Sequence, residues 1–143
     1  MGQEVTIHLE SRQRSGDRIE VMQKDLPGTY FCKEKARYLM YEERPGQRMT
    51  IKVKESSLTL IQSGQNSWNH SFRTGETSAS NYITPYGSFW LEVTTNSLKV
   101  EESEESFLIQ LSYSLFTGEE DGTQIDLNLT VSKRGGRNEN SYL

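Results

Sequence analysis

Five apolar side chains at every second position, Phe107, Ile109, Leu111, Tyr113 and Leu115, mark a strand with one face on a core and one in water. A helix would need its apolar residues three or four apart, so this spacing excludes one there. The same alternation recurs in Val5, Ile7 and Leu9, in Ile19 and Val21, in Ile51 and Val53, and in Leu58 and Leu60. It returns in Trp68, His70 and Phe72, in Phe89, Leu91 and Val93, and in Ile125, Leu127, Leu129 and Val131.

Short polar turns separate these runs: Ser15-Gly16-Asp17, Pro45-Gly46, Glu55-Ser56-Ser57, Ser63 to Asn66, the acidic Glu101 to Ser106, and Gly118 to Gly122. Between Trp68 and Val100 the chain breaks at Thr74-Gly75, dips to Tyr82 and turns through Thr84-Pro85-Tyr86-Gly87. Pro85 suits the first corner of that turn because its ring presets φ. Asn96-Ser97 reads as another turn, and Leu26-Pro27-Gly28 as the end of the second strand. The segment YFCKEKARYLMYEER is rich in helix formers, yet the aromatics at both ends and the Pro-Gly stop favour a hairpin. Its arms are expected at Tyr30 to Cys32 and Tyr38 to Glu43, with a charged turn from Lys33 to Ala36.

The expected fold is therefore all-β: a single antiparallel up-and-down meander of eight to ten strands, closed into a barrel that leaves no sticky edge. A sandwich with Greek-key crossovers would need longer connections. Residues 1–132 are assigned to the barrel, and residues 133–143, with Gly135-Gly136, read as a flexible basic tail.

Composition agrees with a thin-walled β structure. The apolar fraction is only 33%, while seven Tyr, five Phe and two Trp are too many aromatics for a disordered chain. The single cysteine, Cys32, has no intrachain partner, and neither a signal peptide nor a long apolar run is evident, so a cytoplasmic location without membrane insertion is expected. Charge is uneven within a net of −4. From Lys33 to Lys54 seven basic residues face three acidic ones, and from Glu101 to Asp126 there are eight acidic residues and no Lys or Arg. The basic 33–54 segment is a candidate face for a protein partner, and the acidic whole argues against nucleic acid. The bland reading of both stretches is solvated outer faces and turn tips. A monomer or weak homodimer is expected.

Particular residues in order resemble a known family. The run Thr50 to Val53 (TIKV), then Ser63-Gly64, Phe72, Thr74-Gly75, Tyr82, Tyr86-Gly87, Thr95 and Leu98 is similar to the bacterial YwiB-like family. Tyr41-Glu42-Glu43 upstream and Leu111-x-Tyr113 downstream fit the same pattern, which is colinear from about Val5 to Val131. The resemblance implies a calycin-like β-barrel, as in lipocalins, and no activity, since the family is known as a domain of unknown function. Gln62 and Arg73 depart from the family pattern, which expects an Arg before the Ser-Gly turn and an apolar residue at Arg73. Gln62 lacks the charge and bidentate fork with which such an Arg would hold an anion.

No catalytic constellation stands out. His8 and His70 have no metal-ligand spacing with Cys or carboxylates, Glu42 and Glu43 fall on opposite faces of a strand, and no Gly-rich loop opens a helix. Neither a cofactor nor a metal is expected, and an enzyme is not supported. Barrels of this strand number hold one small ligand or are filled by side chains. The candidate lining for a small apolar or amphipathic ligand is Tyr41, Glu43, Phe72, Arg73, Tyr82 and Tyr86: aromatic walls with hydroxyl tips and two charges. The alternative is a barrel plugged by the same aromatics and acting as a protein-interaction or RNA-associated module.

Overall fold

In the computed structural model, which describes residues 2–117 and 122–133, ten strands form one antiparallel sheet. They are β1 (Gln3–Ser15), β2 (Arg18–Lys33), β3 (Ala36–Arg44), β4 (Gln47–Lys54), β5 (Ser57–Ser63), β6 (Trp68–Arg73), β7 (Thr77–Thr84), β8 (Gly87–Glu102), β9 (Ser106–Phe116) and β10 (Thr123–Lys133). The sheet order is β6-β5-β4-β3-β2-β1-β10-β9-β8-β7, so every consecutive pair except β6 and β7 shares a ladder. The first strand pairs with the last, from Val5↔Lys133 to Ser15↔Thr123. The two ends of the sheet meet at β6 and β7, where Ser67 and Ile83 exchange backbone hydrogen bonds of 2.9 Å in both directions. The result is the expected meander, rolled into a nearly closed barrel. No helix long and apolar enough to cross a membrane is present among the described residues. The expected Gly118 to Gly122 turn falls mostly outside the described residues, as does the tail beyond Lys133.

Three local expectations need correction. Leu26-Pro27-Gly28 does not end a strand; β2 runs unbroken through it from Arg18 to Lys33. The two-residue turn Glu34–Lys35, both at positive φ, makes Lys33 and Ala36 the hydrogen-bonded end of the β2–β3 hairpin. Counting back by twos, odd-numbered residues of β2 aim their backbone groups at β3 and even-numbered ones at β1. Pro27 is odd, so its missing N–H interrupts nothing on the β1 side, where Thr6↔Pro27 remains in register. On the β3 side pairing ends at Gly28↔Tyr41, next to Pro27. The proline therefore ends one ladder and spares the other.

Asn96-Ser97 is likewise not a turn: β8 continues from Gly87 to Glu102 across a register shift between Thr95 and Ser97. One extra residue in a strand reverses the inward parity. Leu91, Val93 and Thr95 point inward before the bulge, and Leu98 and Val100 pack on the core after it. The third correction is small: the hairpin expected from Tyr30 to Glu43 forms, with a tighter turn and longer arms.

Inward residues of all ten strands pack into a single core whose fully buried members include Ile7, Leu39, Ile51, Phe72, Val93, Ile109 and Leu129. Where β4 meets the β5–β6 turn, a polar residue replaces the apolar pattern. Gln47, 2% exposed, donates from Nε2 to the carbonyls of Ser63 (3.1 Å) and Asn66 (2.9 Å) and accepts from the Asn66 N–H at 3.2 Å. Gly64 sits in that turn at φ +128, and a Cβ there would lie 2.1 Å from the Gly46 carbonyl oxygen. Only glycine fits this position.

Candidate functional site

Two places in the barrel gather chemically distinctive side chains: the seam between β6 and β7, and the mouth where β2 and β8 end and β9 begins.

At the seam the register set by Ser67↔Ile83 brings His70 opposite Ser80, but no ladder pairs β6 with β7 along this length. Side chains span it instead. Ser80 Oγ lies 2.7 Å from Trp68 Nε1 and 2.7 Å from His70 Nδ1, and Ser78 Oγ lies 3.1 Å from His70 Nε2. The indole can only donate, so Ser80 accepts from Trp68; its hydroxyl keeps a proton and a second lone pair, so it meets Nδ1 in either direction, as Ser78 meets Nε2, according to the imidazole tautomer. His70 is 4% exposed, and burial holds its pKa below the usual histidine value.

Behind the seam, aromatic rings bridge the middle of the barrel. Phe72 packs on Tyr113 with centroids 4.8 Å apart, joining β6 to β9, and meets His70 at 4.9 Å and Trp68 at 6.1 Å. Tyr82 stands edge-on to Trp68 at 6.2 Å. Burial raises the pKa of the Tyr113 hydroxyl, which stays protonated.

At the mouth, Tyr30 of β2 tilts against Phe107 of β9 with centroids 5.5 Å apart. Arg37 donates to the Glu102 carboxylate and sits over the Phe107 ring, 5.4 Å from its centroid. The sequence grouped Arg37 with the basic 33–54 face. It instead shares the inward parity of Leu39 and Tyr41 and leaves that face for the mouth. Tyr30 Oη lies 3.6 Å from the Cys32 thiol, and burial, with that contact second, pushes the Tyr30 pKa up to about 12. Beside this cluster opens a cleft of about 200 Å³. Val5, Tyr30, Phe107 and Val131 give it apolar walls, and Glu102 to Ser106 run along its lining.

The six residues expected to line a ligand site divide. Phe72 and Tyr82 come together through Trp68, in the aromatic bridge. Tyr41 is buried on β3, and Glu43 lies at the irregular end of that strand, where its charge adds to burial in raising the Tyr41 pKa. Arg73 faces solvent and pairs with Glu76 at 3.6 Å. Tyr86 stands 93% exposed at the tip of the β7–β8 hairpin. Sequence reasoning missed the seam serines, Ser78 and Ser80, and the buried Gln47. Gln47 shares the alternation of its buried neighbours on β4, whereas Ser78 and Ser80 lie on a strand with no fully buried residue, and none of the three carries an apolar mark. Among the described residues no group of three or more His, Cys, Asp or Glu is placed to hold a metal.

A ten-stranded meander closed by its first and last strands, with rings across its middle and a cleft at one mouth, defines a small up-and-down β-barrel protein. Residues 7–129 match a family described as a domain of unknown function, DUF1934, and the chain belongs to it. The uncharacterized beta-barrel protein YwiB of Bacillus subtilis (strain 168) is 30% identical over 136 residues, 92% of this chain and 94% of that protein. The crystal structure of the ywiB protein from Bacillus subtilis matches with a TM-score of 0.83 at 24% identity, covering 92% of each chain. The resemblance carried by Thr50 to Val53, Phe72, Tyr82 and Tyr86-Gly87 is thus the family to which the chain belongs.

Proposed function

We propose that this protein is a non-catalytic, cytoplasmic binding protein of calycin-like design that takes one small amphipathic ligand at its mouth rather than in its centre. The observation that supports this reading is the juxtaposition at the cleft of apolar walls with an acidic rim. Val5, Phe107 and Val131 offer apolar contact, and Glu102, Glu104 and Glu105 share the lining with them and with Lys133. Arg37 pairs with Glu102. A short apolar body with a cationic or hydrogen-bond-donating head fits that polarity. The volume of about 200 Å³ is below the roughly 300–1,000 Å³ of ordinary ligand pockets, which favours a small ligand over a long acyl chain.

Titration with short alkylamines and with alkyl carboxylates of the same length, followed by amide chemical shifts, tests the reading. Saturable shifts confined to Tyr30, Glu102 to Ser106 and Val131, from the amine series alone, are expected. Shifts centred on Phe72 and Tyr82, or none from either series, would overturn it. Native mass spectrometry of protein from its own host supplies the natural occupant without a guess at its identity.

A further inference from the structure

The barrel wall is incomplete along the first half of β2. β1 and β2 form a hairpin closed by the two-residue turn Gly16–Asp17, and β3 pairs with β2 only from Gly28 to Lys33. From Ile19 to Asp25 no strand lies on the other side of β2 among the described residues. Both turns that flank β2 give the same parity. Ser15↔Arg18 is the hydrogen-bonded end of one hairpin and Lys33↔Ala36 of the other. The backbone N–H and C=O groups of Ile19, Val21, Gln23 and Asp25 therefore point outward along this edge. Its side chains include three large apolar groups in solvent, Ile19, Val21 and Met22, exposed by 49%, 57% and 37%.

We infer that this edge pairs with the same edge of a second copy of the chain, antiparallel about a two-fold axis at Met22. The ends of the free segment select that register. The Gly16–Asp17 turn stops it on one side, and Pro27, with no N–H to give, stops it on the other. The midpoint of Ile19 to Asp25 is Met22. Centred there, Val21 pairs with Gln23 of the second copy and Ile19 with its Asp25, making about eight backbone hydrogen bonds. Met22 faces Met22, and Glu20 stands opposite Lys24 on both sides of the axis.

Neighbouring registers are worse. Sliding by two residues one way places Arg18 opposite Lys24, a like-charge pair repeated by symmetry. Sliding the other way sets Ile19 against Pro27 and forfeits a donor. The charges are available for this exchange. Among the described residues Glu20 is engaged only by Arg18, at 3.4 Å and largely in solvent, and the Lys24 ammonium reaches the Glu43 carbonyl at 3.4 Å. Self-complementary spacing of Glu20 and Lys24 about Met22 is the observation that names a second copy as the occupant.

Sedimentation equilibrium over a concentration series extending to the millimolar range tests the inference on the full chain. A species of twice 16.4 kDa is expected to build up with concentration. Glu20→Lys alone should raise the dissociation constant by about tenfold, because two attractive cross-strand pairs become repulsive. Combining it with Lys24→Glu should restore association. Val21→Pro removes an outward N–H and should abolish the dimer, with circular dichroism confirming an intact barrel. A monomer throughout the concentration series overturns the inference. So does a dimer indifferent to the single charge reversal, or one that the double reversal does not restore.

Discussion

The Nδ1 atom of His70 and the hydroxyl of Ser80 lie 2.7 Å apart across the seam between β6 and β7. This bond and its neighbours take the place of a backbone ladder, so the barrel is joined there by side chains with titratable chemistry. Burial lowers the pKa of His70 from its ordinary 6.5, so the unfolded chain takes up the proton before the folded one. The seam's contribution to stability is therefore full above about pH 6.5 and declines as the pH falls toward the depressed folded value. Urea midpoints measured between pH 7 and pH 5 should fall for the wild type. In His70→Gln this part of the decline should vanish, whatever that variant loses in absolute stability.

Phe72 and Tyr86 were both candidates for a ligand wall, and their surroundings separate them. Phe72 has no exposed surface and touches three rings, so Phe72→Ala should cost about 3–5 kcal/mol in equilibrium unfolding. Tyr86→Ala, at the solvent-exposed hairpin tip, should stay within about 0.5 kcal/mol of wild type.

Gln47 holds the β5–β6 turn from below through two carbonyls and one N–H. Gln47→Leu keeps much of the bulk and strands all three groups, which should cost about 3 kcal/mol or more by urea denaturation. Gln47→Glu keeps the acceptor for the Asn66 N–H and sets a carboxylate against the two carbonyls. Its deficit should therefore shrink as the buffer is acidified and the carboxyl becomes a donor.

Gly64→Ala meets two obstacles at once, a positive φ and the Gly46 carbonyl oxygen 2.1 Å from the new Cβ. The backbone conformation alone should cost more than about 1 kcal/mol. The steric conflict adds to that, so the loss in thermal or urea unfolding should exceed that of Tyr86→Ala several-fold.

The architecture was legible because its signal is periodic. Phe107 to Leu115 and Ile125 to Val131 could hardly be anything but strands, and short turns between such runs leave a meander few ways to close. What escaped were places where one residue acts on only one of its two neighbours. Pro27 ends a ladder with β3 while leaving β1 paired, a distinction that needs the turn parity at Lys33 and Ala36. Asn96 looks like a turn residue and is a bulge, visible only as the switch of inward positions from odd to even. The candidate site was less legible for a related reason. Arg73 follows Phe72 in the same strand and must face the other way, which parity already stated. Ser78 and Ser80 carry no hydrophobic mark, so nothing in composition showed that they would hold His70.

The pairing of β1 with β10 sets an order of assembly. β1 finds one of its two neighbours only in β10, the strand most distant from it along the described chain. Until then the hairpins from β1 to β6 and from β7 to β9 can form one after another from local contacts, while one flank of β1 waits unpaired. Placement of β10 is thus the event that makes one sheet of the barrel, and a chain cut before it would be left as two sheets, β1 to β6 and β7 to β9, laddered to each other nowhere.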